Sequence, residues 1–418
     1  MKPSSSNASR KRNRFCFVTD AVGWPLGQSF LSPSTILPMF VARLAGNNLL
    51  VGLVSGVQSA GQLVPQLAAS HWVERLPLTR RYVMLMGVLA ERLPILALAA
   101  GILLGASAPV LLVLFFSCWA IMSTGTGFNM PAYFTLFSKS VPATERAGII
   151  GVGNAVGTLL ASVGALAARE LLGATAGLAG YAWCFVIGAV VLIVTVLPLG
   201  FVAEPRESAG SGGSLTGHLR QIPALMRSAP PFAVYVAMQA AIHFGWAGIG
   251  FVTGYAVLEL RAPPGMIALG SALQLAAEAA GSLALGVLAD RRGCRLAFVA
   301  AGACGVLLYG VMAFSPPIGL VLAAYALFGL LQSALLVGSN MTMEFAPPRK
   351  AATFIAVVFS AMAPVRIAGP VALGVLADAA GTPPVFGLLA AGCALALYLA
   401  VARLEDPRHA TRRGGGRP

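Results

Sequence analysis

Charge is what this sequence lacks most. Only 10% of its 418 residues are Asp, Glu, Lys or Arg, and 14 of them are acidic. A water-soluble domain carries about 25% charged residues, so a chain of this length has too few charges to coat a soluble surface. Histidine is almost as scarce. There are four, and only His243 falls deep inside an apolar run, which excludes a His-built metal centre or intramembrane zinc enzyme. The six cysteines (Cys16, Cys118, Cys184, Cys294, Cys304, Cys393) are scattered without metal-ligand or redox spacing and read as small apolar packing residues. No G-x-x-x-x-G-K-[ST] phosphate loop is present, so the chain does not itself couple ATP. No G-x-S-x-G elbow with plausible partners is found either. Neither a cofactor nor an enzymatic activity is expected.

Long apolar runs are abundant. Hydrophobic residues make up 57% of the chain, in stretches of about 20 to 28 residues, enough to cross a hydrocarbon core of about 30 Å. Glycine (48) and proline (27) are frequent, as membrane helices tolerate. Twelve helices are expected over 15–42, 47–72, 81–104, 108–137, 147–170, 177–202, 231–258, 264–288, 295–314, 317–343, 351–377 and 383–403. The expected organisation is an N-tail (1–14), a six-helix bundle (15–202), a Gly/Ser-rich linker (203–230), a second six-helix bundle (231–403) and a C-tail (404–418).

The net charge of +14 follows from topology. With twelve helices, 23 of the 28 Lys and Arg fall on one side of the membrane. Three (Arg43, Arg169, Arg261) fall on the other, and Arg92 and Arg366 lie within helices. The positive-inside rule makes the rich side cytoplasmic, with both termini there, and argues against nucleic acid as the partner of this charge. The basic start followed by an apolar run also fits a signal peptide. The run is too long, holds Asp20 and offers no small-x-small site before Pro33, so an uncleaved first helix is expected.

The halves repeat. A shift of 216 places Ser55, Gln58, Gln62 and Gln66 on Ser271, Gln274, Glu278 and Ser282, and Glu74-Arg75 on Asp290-Arg291. A shift of 211 places Gly127-Phe128-Asn129-Met130 on Gly338-Ser339-Asn340-Met341. Two six-helix halves enter the membrane the same way, as parallel repeats with a substrate site between them near mid-membrane.

After the eighth run stands Gly286-Val287-Leu288-Ala289-Asp290-Arg291-Arg292-Gly293-Cys294-Arg295. It resembles the signature loop of the major facilitator superfamily, G-x-L-A-D-r-x-G-r-[KR]. The resemblance implies an all-α membrane fold of two pseudo-symmetric six-helix bundles and a cytoplasmic latch at Gly286, Asp290, Arg291, Gly293 and Arg295. The first-half copy around Glu74 and Arg75 is degenerate, and residues 372–378 repeat 284–290 letter for letter at the opposite, outer side. The superfamily's helix-5 antiporter pattern is half present at Gly153 and Gly157, without its proline.

Spacings of three or four line polar residues along helix faces. One face holds Asp20, Trp24, Gln28 and Ser32. Others hold Gln58 and Gln62, then Tyr235, Gln239, His243 and Trp246, then Gln274 and Glu278, with Arg366 alone on the eleventh helix. In the resembling superfamily these helices can face the central cavity. The third is a support helix, so Glu91 and Arg92 are expected to be structural or to reach the membrane surface. Asp20 reads equally as a proton carrier or as a side chain reaching the cytoplasmic surface, and Glu278 as a proton carrier or as Arg366's ion-pair partner.

The expected function is secondary transport of a small drug-like or metabolite solute by alternating access, coupled to protons rather than another ion. The expected protein is a monomer in the lipid bilayer of a bacterial inner membrane, with a lean to efflux from the resemblance. The alternatives are a non-transporting ligand sensor or assembly partner on the same fold, and a lipid flippase.

Overall fold

The computed structural model describes residues 7–73, 76, 78–175, 177–205, 226–227, 229–345 and 351–404. Among these residues every regular element is helical. Nine described stretches are long and apolar enough to cross a membrane, from Arg80–Leu103 to Thr382–Ala402, and two shorter apolar helices lie at Ile36–Ala45 and Ile318–Ala334. Large apolar side chains such as Leu104, Val113, Leu159, Val163 and Phe201 are exposed along them, the surface that lipid covers in a multi-pass protein.

Clustering of the backbone gives two units. The first holds residues 1–45, 57–215 and 263–272, and the second holds 46–56, 216–262 and 273–418. In the first, α1 (Asn7–Ser29) packs on α7 (Ala143–Ala174) and α8 (Ala179–Val196), and α5 (Leu93–Leu103) packs on α6 (Ala108–Ser140) and α8. Also in this region are α2 (Ile36–Ala45), most of α3 (Asn48–Val73) and α4 (Arg80–Leu85). The second unit comprises the start of α3, then α9 (Pro230–Trp246), α10 (Ile249–Leu258), most of α11 (Pro264–Arg292), α12 (Cys294–Met312), α13 (Ile318–Phe345), α14 (Ala351–Ala380) and α15 (Thr382–Ala402).

Three of the expected helices are broken, and each break has a local cause. The first expected span, 15–42, divides into α1 and α2. Pro33 lacks an N–H and disfavours helical geometry at Ser32, and the chain resumes helix at Ile36. The seventh, 231–258, divides into α9 and α10 at Ala247-Gly248. There the Gly245 carbonyl accepts the Gly248 N–H at 3.1 Å and the Tyr309 hydroxyl as well, which is how broken helices persist where no water is at hand. The third, 81–104, is interrupted by a π turn at Met86–Ala90, and α5 restarts with Pro94 in its first turn.

Small residues set how closely helices cross. A Cβ on Gly127 of α6 would lie 2.4 Å from the Gly61 carbonyl oxygen and 2.7 Å from that of Gln62, so α3 and α6 touch backbone to backbone. On α13, a Cβ on Gly329 would lie 2.1 Å from the Gln274 carbonyl oxygen of α11. A small residue in each half thus brings the Gln-bearing helix against its neighbour, although Gly127 and Gly329 do not occupy equivalent positions of the repeat.

The repeated segment 372–378 ends in a cap. The Asp378 carboxylate accepts the backbone N–H groups of Asn48 (2.7 Å) and Leu49 (2.9 Å), the first donors of α3, within the second unit. N-terminal helix donors have no intrahelical partner, and a carboxylate there is favoured by hydrogen bonding and by the helix dipole. Asp378→Ala should lower stability by about 1 kcal/mol, as loss of a helix cap does, read as a fall in melting temperature in detergent.

A buried charge cluster and an amide-lined cavity form the candidate functional site

The first unit buries three ionisable side chains together. Asp20 on α1 is 8% exposed, and Glu91 and Arg92, after the π turn, are 3% exposed each. Arg92 Nη1 lies 2.9 Å from Glu91 Oε2. Arg92 Nε donates to the Leu192 carbonyl at 2.9 Å, and Nη1 also donates to the Gly87 carbonyl. Asn129 Nδ2 donates to Glu91 Oε1 at 2.7 Å. Tyr133 donates a hydrogen bond to the Asp20 carboxylate, and Arg92 and Glu91 are the charges that act on Asp20. The Arg92 guanidinium carbon sits 5.7 Å from the centre of the Trp24 ring, in cation–π range.

The π turn explains how adjacent residues both reach this cluster. In an α-helix, neighbours point about 100° apart. Here Glu91 N–H bonds back to Met86 O at 3.1 Å, a five-residue step, which re-aims the chain. It also leaves the Gly87 carbonyl for Arg92. Glu91, Arg92 and Asp20 are therefore all enclosed by the helices of the first unit. Two carboxylates facing one guanidinium leave one negative charge in excess. Arg92 is committed to Glu91, so Asp20 is the acid without an ion-pair partner within 4 Å among the described residues.

One turn along the Asp20 face, Trp24 and Gln28 line a cavity of about 160 Å³ with Gln58 and Gln62 of α3 and Trp119, Met122, Ser123 and Thr126 of α6. The Gly61–Gly127 contact holds α3 against α6 and aims both glutamines at it. The Ser123 hydroxyl is buried with no hydrogen-bond partner. A larger, mostly apolar cavity of about 480 Å³ lies along the α1–α7 seam beside Lys11, Arg14 and Glu145.

In the second unit the polar face of α9 is turned into the packing. Tyr235 is fully buried. It donates to the Gly338 carbonyl (2.6 Å), lies 2.9 Å from Thr342 Oγ1 and accepts from Gln239 Nε2 at 2.9 Å. His243, 3% exposed, places Nδ1 2.8 Å from the Gln239 carbonyl, so Nδ1 carries the proton and donates. Its ring lies 4.8 Å from that of Trp246. Gln274 donates to Gln332 at 3.2 Å, and Glu278 also hydrogen-bonds Gln332. Among the described residues Arg366 makes no ion pair with Glu278. Tyr235→Phe removes the donor to Gly338 and should destabilise by about 1 kcal/mol, measured by thermal melting in detergent.

Of the latch residues, Glu74 and Arg75 lie outside the described residues. Gly286 and Asp290 lie in α11, and Arg291 is exposed at its end. Gly293 adopts φ +89°, a conformation that favours glycine, and starts α12. Arg295 donates Nε to the Ala400 carbonyl (3.0 Å) and Nη2 to that of Val401, closing the last turn of α15. Its partner is therefore a helix C-terminus.

Sequence reasoning gave Glu91 and Arg92 a structural or surface role and assigned no site role to Asn129 or Tyr133. The available signals were an adjacent acid–base pair inside an apolar run and an asparagine within the repeated Gly-x-Asn-Met pattern.

An all-helical chain with lipid-facing apolar helices and buried charges within one unit is an integral multi-pass membrane protein. The family model for the Major Facilitator Superfamily matches residues 25–249 and 235–418, so the chain belongs to that superfamily and is a transporter-family protein rather than an enzyme. No curated protein matches the sequence. Solved structures share the fold. The nucleoside transporter NupG, in a mutant form, superposes with TM-score 0.72 at 13% identity over 94% of this chain and 100% of its own. A POT family transporter in complex with 5-aminolevulinic acid gives 0.71 at 12% identity over 94% and 95%. A bacterial homologue of the human lysosomal transporter Spinster gives 0.65 at 15% identity, covering 95% of both chains.

Proposed function

We propose that the chain is a monomeric, proton-coupled secondary transporter of a small organic solute, a drug or metabolite, working by alternating access between bundles at 15–202 and 231–403. Both termini and the linker at 203–230 are cytoplasmic, the membrane is a bacterial inner membrane, and transport runs outward. The lysine and arginine distribution supports the sidedness, and the family resemblance supports the direction.

One observation carries the coupling. The buried cluster of Asp20, Glu91 and Arg92 holds one acid more than it has base. Charges inside a membrane cost about 2.5–3.5 kcal/mol each on insertion scales, and they mark ion pathways and proton relays. One proton makes this cluster neutral, and Asp20 is where it goes, because Glu91 is already held by Arg92 and Asn129. Trp24 touches the guanidinium on one side and lines the cavity on the other, so loading of the cavity and of the cluster share a side chain.

The test is solute accumulation in proteoliposomes under an imposed pH gradient, with a panel of labelled drugs and metabolites. Accumulation that a protonophore abolishes is the expected result. Accumulation that follows a sodium gradient instead overturns proton coupling, and ligand binding without accumulation of any bound solute overturns transport.

A further inference from the structure

We infer that the cavity between α1, α3 and α6 is a binding subsite for an uncharged, single-ring group carrying an amide, either a ring carboxamide or a cyclic amide. This rests on the transporter reading, since it names the class of solute, but it is argued from the cavity alone.

Size comes first. A protein cavity of about 150 Å³ holds one benzene ring, so about 160 Å³ accommodates one ring with a small substituent. Polarity comes next. Three carboxamides line the space, from Gln28, Gln58 and Gln62, together with the Ser123 and Thr126 hydroxyls. Each carboxamide offers a donor and an acceptor side by side, and the group that answers both at once is another amide edge. The Thr126 hydroxyl is engaged within its own helix, donating back to the Met122 carbonyl. The Ser123 hydroxyl is 2% exposed and unpartnered, a buried group of the kind that a ligand or water satisfies. The indoles of Trp24 and Trp119 supply aromatic faces to a flat ring.

The lining also excludes charge. Among the described residues no ionisable side chain lines the cavity. Arg92 is the nearest candidate for an anion, and it is engaged by Glu91, Leu192 and Gly87, with Trp24 between it and the space. An ionised ligand would lose its hydration here without gaining a counter-charge. An apolar ring of the same size would leave the glutamines and Ser123 unsatisfied.

The experiment is equilibrium dialysis of the full-length protein in detergent against three labelled probes of similar size: nicotinamide, its anionic counterpart nicotinate, and toluene. Nicotinamide should bind at least about tenfold more tightly than either of the others, as a satisfied polar site discriminates. Gln58→Leu and Gln62→Leu should each lower nicotinamide affinity by about tenfold and raise that of toluene. Wild-type selectivity needs no variant, so misfolding of a variant cannot decide the result. Equal binding of the three probes, nicotinate binding tightest, or no nicotinamide binding because the cavity holds only water would each overturn the subsite. Binding with this selectivity in a protein that accumulates nothing under any gradient would sink the transport reading and leave the subsite standing. Accumulation of other solutes without nicotinamide binding would do the reverse.

Discussion

Asp20→Asn should reduce solute accumulation driven by a pH gradient to the rate of protein-free liposomes, while solute exchange at equal pH on both sides persists. The asparagine keeps the shape of the side chain and can still hydrogen-bond Tyr133, but it can neither take nor release a proton. The cluster would then hold one carboxylate against one guanidinium and stay neutral through the cycle. The two assays separate coupling from translocation. An uncoupled carrier loses the first activity and keeps the second, whereas a misfolded protein loses both. Glu278→Gln, at the second-half position that falls on Gln62, should keep gradient-driven accumulation, because the proton is assigned to Asp20. Loss of accumulation in Glu278→Gln with retention in Asp20→Asn would move the carrier to the second half.

Arg92→Met should have the largest effect on folding. It removes the positive charge from a site where Glu91 and Asp20 remain buried, and it strands the Leu192 and Gly87 carbonyls. Removing one partner of a buried ion pair costs about 3–5 kcal/mol, mostly because the other charge is left uncompensated. The expected readout is a collapse of the monodisperse peak on size-exclusion chromatography and a large fall in melting temperature. Adding Glu91→Gln to that background should recover much of the loss, since the stranded charge is then removed. Coupling of this kind between two mutations is what separates a shared electrostatic site from two independent packing defects. Additive losses would mean that Arg92 acts through packing alone.

The fold and the site were not equally readable from the sequence. Apolar runs of membrane length, separated by basic loops, reveal helices because the bilayer permits little else. The loop at 286–295 then points to the family, which the family-model match shows. Spacing placed Asp20, Trp24 and Gln28 on one face of α1, and in the structure Trp24 and Gln28 line one cavity while Asp20 and Trp24 share Arg92 as a neighbour. Glu91 and Arg92 were not readable in the same way. A rotation of about 100° per residue is an α-helix rule, and the π turn at Met86–Ala90 breaks it just before the pair. Spacing along one helix also carries no distance to another. That is why Glu278 and Arg366, both plausible as an ion pair on paper, form none within 4 Å among the described residues. Arg295, placed in a latch by the family resemblance, donates to the last carbonyls of α15, contacts that its own loop does not reveal.

The most direct measurement is an infrared difference spectrum between acidic and alkaline conditions on the protein in lipid, which reports carboxylic acid C=O groups as they gain or lose protons. The expected result is a carboxylic band in the wild type that disappears in Asp20→Asn and survives in Glu278→Gln. A band that survives in Asp20→Asn and disappears in Glu278→Gln, or no band at all in the wild type, would contradict the assignment of the coupling proton to the buried cluster of the first unit.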